Sequence, residues 1–234
     1  MSSARKRVAV LISGRGSNMA ALIEATADPR FPATIAVVVS NKADAGGLAV
    51  AKAAGIPTRV IAKADHPGAE AQDHAMQAVL AEHRVDLICL AGYMRLLRDE
   101  FVHRWSGRMI NIHPSLLPLF KGLHPHEQAL AAGVRLHGCS VHFVTSEMDS
   151  GPIIAQAAVP VLAGDTPDSL ATRVLEIEHR LYPLALRLVA EGRARMAGDC
   201  VEFSQTSAAE QQALLSPLPD DPMEDLEALA RSTP

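Results

Sequence analysis

Asn111 and His113 stand one residue apart in the run Met109-Ile110-Asn111-Ile112-His113-Pro114. Side chains of a strand alternate between its faces, so an amide and an imidazole two positions apart share a side. Pro114 has no N–H to donate and ends regular pairing there. In an open parallel sheet, the end of a strand is where a ligand crevice forms. A donor amide beside a titratable imidazole at such a point suits a reaction that builds negative charge on a carbonyl oxygen. Either residue alone reads more simply as a polar group satisfied at a sheet edge. Together, and followed by Pro-Ser-Leu-Leu-Pro at 114–118, they favour chemistry.

Other residues are weaker candidates taken singly. Gly14-Arg15-Gly16-Ser17-Asn18 sits between an apolar run and a segment of helical spacing, which leaves backbone N–H groups at a helix start, where an anion is favoured. Ser17 and Asn18 also suit capping. The third glycine of a dinucleotide fingerprint would fall at Met19, and there is no Walker lysine, so the turn suits one phosphate better than a pyrophosphate. A tight strand-to-helix turn with no ligand is the plain alternative. Residues 92–97 carry Met94, Arg95, Leu96 and Leu97. They are either ordinary core or the lining of a slot for a flat heteroaromatic ring. His124 and His126 have the spacing of two zinc ligands, but no third ligand follows at a compelling distance, so no metal is expected. Glu178 is a surface charge unless its helix packs over the glycine turn.

The elements that must position these groups follow from periodicity. Apolar runs at 7–13, 34–40, 58–61 and 85–91 alternate with helical stretches at 19–25, 45–54 and 68–83, and a short helix at 98–105 leads into the strand that begins at Met109. That is a βαβαβαβ pattern with near-continuous apolar strands, as a parallel sheet requires. After a loop and a helix ending at Ala132, residues 138–145 and 152–159 read as an antiparallel pair, with Ser140 and His142 on one face. Thr166-Pro167 opens a long helix that Pro183 should bend, and 191–204 reads as a closing strand pair.

Composition bounds the function class. The 234 residues are 48% hydrophobic and 21% charged, which suits a globular protein with a sizeable core. Residues 205–234 hold six acids and one base, leaving about +1 of the net −4 for the remainder. A near-neutral body argues against nucleic acid as a partner. Cys89, Cys139 and Cys200 show no metal-ligand spacing and read as reduced, buried thiols. The first apolar run is too short for a membrane span or a signal-peptide core, so a cytoplasmic protein without a membrane partner is expected. The acidic tail shows no sheet pattern; it is expected to be disordered apart from a brief helix over 223–230.

Asn-x-His-Pro-Ser-Leu-Leu-Pro at 111–118 resembles the signature of the folate-dependent formyltransferases. The likeness extends through Ser-Gly-x-Gly-Ser-Asn at 13–18, Ser-Asn-Lys-Ala-Asp at 40–44, Leu-Ala-Gly-Tyr-Met-Arg at 90–95, Gly-Leu-His at 122–124 and His-Phe-Val-Thr-x-Glu-x-Asp-x-Gly-Pro at 142–152. The branch it most resembles acts on a ribonucleotide. The resemblance implies an α/β fold: a Rossmann-like, mostly parallel open sheet with helices on both faces and an antiparallel edge. It implies one formyltransferase domain over 1–204, with a nucleotide-binding half at about 1–105 and a folate and catalytic half at about 106–204, followed by the tail.

By the same resemblance, the formyl group passes from 10-formyltetrahydrofolate, a co-substrate, to the amine of 5-phosphoribosylglycinamide in purine synthesis, with no metal. Asn111, His113 and Asp149 match the catalytic trio, with Asp149 orienting the imidazole. Gly16, Ser17, Asn18 and Glu178 match the ribonucleotide site. Met94, Arg95, Leu97, Val144, Thr145 and Asp149 match the folate pocket. The quaternary state implied is monomer or homodimer. Phe120 and Lys121 depart from the family's commoner order before Gly122, and the tail has no counterpart. Members that formylate methionyl-tRNA carry a basic C-terminal domain where this chain turns acidic, and the deformylases carry a regulatory domain that the early first strand leaves no room for. A non-catalytic mononucleotide sensor would need the glycine turn but not Asn111, His113 and Asp149 together.

Overall fold

The computed structural model describes residues 4–204; the expectations of disorder and of a helix at 223–230 lie outside them. Seven strands form one sheet: β1 (Lys6–Ile12), β2 (Ala33–Ser40), β3 (Thr58–Val60), β4 (Leu87–Leu90), β5 (Met109–His113), β6 (Leu136–Phe143) and β7 (Ile153–Pro160). Their spatial order is β3-β2-β1-β4-β5-β6-β7. The first five are mutually parallel, and β6 and β7 run antiparallel at one edge. The strand order reverses between β1 and β4, and the crevice beyond the carboxyl ends there is the usual ligand position of an open α/β sheet. The expected fold class is the one observed.

Helices α1 (Ser17–Ala27), α2 (Gly47–Ala53), α3 (Ala69–Glu82), α4 (Asp99–Arg104), α5 (Pro125–Ala131) and α6 (Pro167–Ala190) cover the sheet, and β8 (Ala194–Ala197) pairs with β9 (Cys200–Phe203) as a separate hairpin. Two apolar cores follow from strand alternation. One joins Val8, Val10, Ile110 and Ile112 to Met19 and Leu22 of α1 and to Leu170, Val174 and Tyr182 of α6. The other joins Ala9, Leu11, Ile88 and Met109 to Met76 and Leu80 of α3 and to Phe101 of α4. Each fully buried aliphatic side chain contributes roughly 1.5–3 kcal/mol relative to exposure. Ile110 and Ile112 face the first core and Met109 the second, so Asn111 and His113 take the face of Met109.

α6 begins where the sequence predicts. Thr166 accepts from Ser169 N at 3.2 Å, Thr166 N donates to Ser169 Oγ at 3.0 Å, and a proline stands in the first turn. The helix continues as one element through Pro183. The Tyr182 hydroxyl lies 2.9 Å from Leu90 O and 3.2 Å from Ile110 O, which ties α6 to β4 and β5 beside Asn111. All three cysteines are free, but only two are buried. Burial pushes the Cys89 and Cys139 thiols up to about 12, so they stay protonated and inert. Cys200 is exposed on β9, contrary to expectation, because a two-stranded hairpin has a solvent face.

Candidate active site

Asn111, His113 and Asp149, 38 positions apart in the chain at their extremes, converge at the carboxyl end of β5. The ring Nδ1 of His113 lies 3.4 Å from Asp149 Oδ2, with both side chains about nine-tenths buried. The other ring nitrogen, Nε2, lies 3.0 Å from Phe120 O. Both nitrogens therefore face oxygen acceptors. Asp149 adopts φ 50°, a left-handed conformation that Asp tolerates better than most residues and that concentrates at functional sites. The twist aims its carboxylate back at the sheet, where Oδ2 also accepts from Gly122 N at 2.9 Å.

A second imidazole completes the cluster. His142 lies directly across from Asn111 in the antiparallel pairing. Its Nε2 is 3.2 Å from Asn111 Nδ2 and 3.8 Å from Asp149 Oδ1. The sequence places His142 on a shared face with Ser140 but assigns it no role; only the strand register reveals its partner.

The motif residues after His113 are held by hydrogen bonds, which explains Ser115 without invoking chemistry. Ser115 Oγ donates to Leu119 O at 2.6 Å, and Ser140 Oγ donates to Ser115 O at 2.7 Å while accepting from Leu117 N at 3.0 Å. Gln156 on β7 donates to Leu117 O at 2.9 Å. Ser115 and Ser140 are fully buried, so an unpaired hydroxyl there would cost on the order of 1–3 kcal/mol. Beyond this loop, His126 and His137 sit with Nδ1 and Nε2 3.2 Å apart, while His124 turns to Glu127. Burial drives His137 down to about 4 and lowers His126 as well, so the pair is neutral near pH 7. Among the described residues, no three His, Cys, Asp or Glu side chains are grouped to hold a metal ion.

The glycine turn lies at the carboxyl end of β1. Gly16 is the residue before α1, at φ 75°, and no side chain caps the helix. The expected capping by Ser17 and Asn18 is thus corrected: both already belong to the first helical turn, and Asn18 Nδ2 instead donates to Glu178 Oε2 at 2.7 Å. Asn18 Oδ1 is buried without a partner. Glu178 is 5% exposed, and burial pushes its carboxyl up to about 7 against the lowering effect of Asn18. α6 therefore packs over the turn, the condition under which Glu178 ceases to be a surface charge. Gly47 N donates to Gly14 O at 3.0 Å, and a Cβ on Gly47 would come within 2.6 Å of the Ile12 side chain. That close approach is what keeps the turn tight.

Residues 92–97 follow β4, the immediate neighbour of both β1 and β5. Met94 N donates to Ser13 Oγ at 2.7 Å, and Ser13 Oγ donates to Asn41 Oδ1 at 2.6 Å. The Arg95 guanidinium is engaged by Asp73 and by Ala69 O, so its side chain is bound to α3. Met94 is 67% exposed, an apolar side chain left open beside the crevice, whereas Leu97 packs on the second core. Val144 also packs on that core and donates from its N to Met109 O at 2.9 Å; Thr145 Oγ1 bonds Glu147 O at 3.2 Å. A hollow of about 200 Å³ beside α3 and α4, bordered by Arg84, Arg104 and Arg108, contains none of these residues. Converging polar groups mark the site.

The model of the formyl transferase family matches residues 6–186. The chain is 53% identical over 192 residues to the trifunctional purine biosynthetic protein adenosine-3 of Bos taurus, covering 82% of this chain and 19% of that protein. It therefore spans about a fifth of the length of such relatives. It is 47% identical over 189 residues to the phosphoribosylglycinamide formyltransferase of Escherichia coli (strain K12), covering 81% of this chain and 89% of that one. The crystal structure of phosphoribosylglycinamide formyltransferase from Brucella melitensis superposes with a TM-score of 0.77 at 59% identity, covering 80% of this chain and 96% of the other.

Proposed function

The chain belongs to the formyl transferase family, and from that premise we propose that it moves the formyl group of 10-formyltetrahydrofolate to the amine of 5-phosphoribosylglycinamide, a step of purine (IMP) synthesis. The reading rests above all on the convergence of Asn111, His113 and Asp149 at β5, beside a glycine turn backed by Glu178. The names carried by its close relatives support the substrate pair. Residues 1–204 act as one unit, with the ribonucleotide bound by the first half and Glu178, and the folate by the second half and the segment from Met94 to Leu97. The unit works in the cytoplasm as a monomer or homodimer.

The ribonucleotide phosphate sits on the backbone N–H groups of Gly16, Ser17 and Asn18, where unpaired donors and the helix dipole favour an anion. Glu178 and the unpartnered Asn18 Oδ1 take polar groups of the same substrate. The folate ring lies against Met94, Leu97, Val144 and Thr145 and reads backbone atoms of Arg95. The neutral amine then attacks the formyl carbon, and the carbonyl electron pair moves onto oxygen. Asn111 and His113 donate to that alkoxide, with the imidazole leaving Phe120 O to do so and Asp149 holding its other nitrogen. When the alkoxide collapses, the bond from the formyl carbon to the folate nitrogen breaks. The proton lost by the amine is delivered to that nitrogen through ordered water. Alignment and field are the protein's contribution; the folate carries the one-carbon group.

The test is the absorbance change as 10-formyltetrahydrofolate loses its formyl group. Loss only when phosphoribosylglycinamide is present is the expected result. Loss without it would indicate a hydrolase, and no loss in either case would overturn the reading.

A further inference from the structure

His142 has no place in the mechanism above, yet its hydrogen bonds restrict what Asn111 can do. Its Nδ1 lies 2.9 Å from Phe143 O, and a carbonyl oxygen only accepts, so Nδ1 carries a hydrogen. In the neutral ring, Nε2 is then a bare acceptor. The group facing it at 3.2 Å is the Asn111 side-chain amide. Only the NH2 end of that amide can satisfy a lone pair; turned over, its oxygen would meet Nε2 lone pair to lone pair. One N–H is thereby used, and the amide nitrogen's second N–H is left as the free donor.

The charges that face the ring are Asp149, with Oδ1 at 3.8 Å, the His113 imidazole and Lys121. His142 is 2% exposed, and its burial lowers its affinity for a proton. A proton on Nε2 would remove the acceptor and turn the ring toward Asp149 instead.

Resting on the formyl-transfer reading of the site, we propose that His142 is a positioning residue: its Nε2 lone pair fixes the Asn111 amide with the NH2 end toward the reacting carbonyl, so that the oxyanion meets a donor and never the amide oxygen. An amide free to rotate would present the wrong atom for part of the time, and the loss would fall on the chemical step, not on substrate binding.

Two near-isosteric substitutions separate the ring nitrogens. In His142→Gln the side-chain carbonyl reaches the place of Nε2 and can accept from Asn111. In His142→Asn the side chain ends near the place of Nδ1 and cannot. The expected kcat is within about threefold of the parent for Gln and down about tenfold or more for Asn, with KM for both substrates little changed. In an Asn111→Ala background the Gln and Asn variants should be equal, because the residue through which His142 acts is gone. Equal kcat for the two in the parent background, or an undiminished Asn penalty in the Asn111→Ala background, would overturn the proposal. If neither variant folds, ¹⁵N NMR of the labelled imidazoles in the unaltered chain decides. The expected state at neutral pH is a protonated Nδ1 and a bare Nε2 at His142; a protonated Nε2 would overturn the proposal. Parent-like turnover of Asn111→Ala itself would remove the amide from the mechanism and this inference with it, whereas the other failures leave the formyl-transfer reading standing.

Discussion

In the proposed reading, the end of β5 and the turn after β1 handle their ligands by opposite means. At β5 the functional atoms belong to side chains, and each is already engaged: His113 by Asp149 and Phe120 O, Asn111 by His142. In the proposed reading the phosphate-binding atoms at β1 are backbone N–H groups, kept accessible by the tight approach of Gly47 to Ile12, while Glu178 and Asn18, paired with each other, are left for the substrate's other polar groups. Side-chain sites must be preorganised by a network, because a rotamer can wander. A backbone site is preorganised by the helix itself and needs only that nothing intrude. The two regions should accordingly fail differently when altered.

The sharpest contrast comes from removing a side chain at β5. His113→Ala should cut kcat by about 10²–10⁴-fold while leaving ribonucleotide affinity nearly unchanged, as steady-state kinetics and direct binding would report. At β1 the corresponding blow is to the backbone. Ser17→Pro removes one N–H from the anion site and should weaken the ribonucleotide by tenfold or more, on the scale of a lost hydrogen bond to a charged group, with Ser17→Ala far milder and folate affinity steady in both. Calorimetric titration of each variant checks this, and equal small effects would refute a backbone cradle.

Smaller effects should distinguish the regions by pH. Glu178 beside the turn is raised to about 7 by burial. A carboxyl raised in the fold binds a proton that the unfolded chain has already released. Its stabilising contribution is therefore complete below about 4.5 and is lost as pH rises through about 7. Glu178→Gln should flatten that part of the stability profile, a difference of up to about 3 kcal/mol between pH 4.5 and 8 in urea unfolding. His137, behind the β5 loop, is lowered to about 4, also by burial. It is neutral in the fold while the unfolded chain takes up a proton, so its contribution is complete above about 6.5 and is lost as pH falls through about 4. His137→Gln should remove that acid-side slope, and amide protection in α5, which carries His126, relative to the intrinsic exchange rate, should fall on acidification in the parent. One region thus tires in alkali and the other in acid.

The sequence exposes these two regions unequally. Asn111 and His113 are legible because strand alternation alone puts an amide and an imidazole on one face, and Pro114 marks the end of pairing. Gly16 is legible as a turn. Asn18 and Glu178 stand 160 positions apart, and no local pattern says that α6 crosses α1. His142 depends on the register of an antiparallel pair, which periodicity does not specify across a loop. Arg95 shows the reverse limit: its type suggests a cation for a ligand, yet Asp73 of α3 claims the guanidinium. The capping expected of Ser17 and Asn18 fails for a related reason, since a left-handed glycine occupies the cap and moves both residues into the helix.

The central claim is that the amide of Asn111 is used in the transition state and not in holding substrate. Single-turnover formyl transfer by Asn111→Ala, with both substrates saturating and their affinities measured separately, tests it directly. Affinities within about threefold of the parent are expected, with a chemical step slower by roughly 10²–10³-fold, the loss of one oxyanion donor. A parent-like chemical step in the folded variant would contradict it.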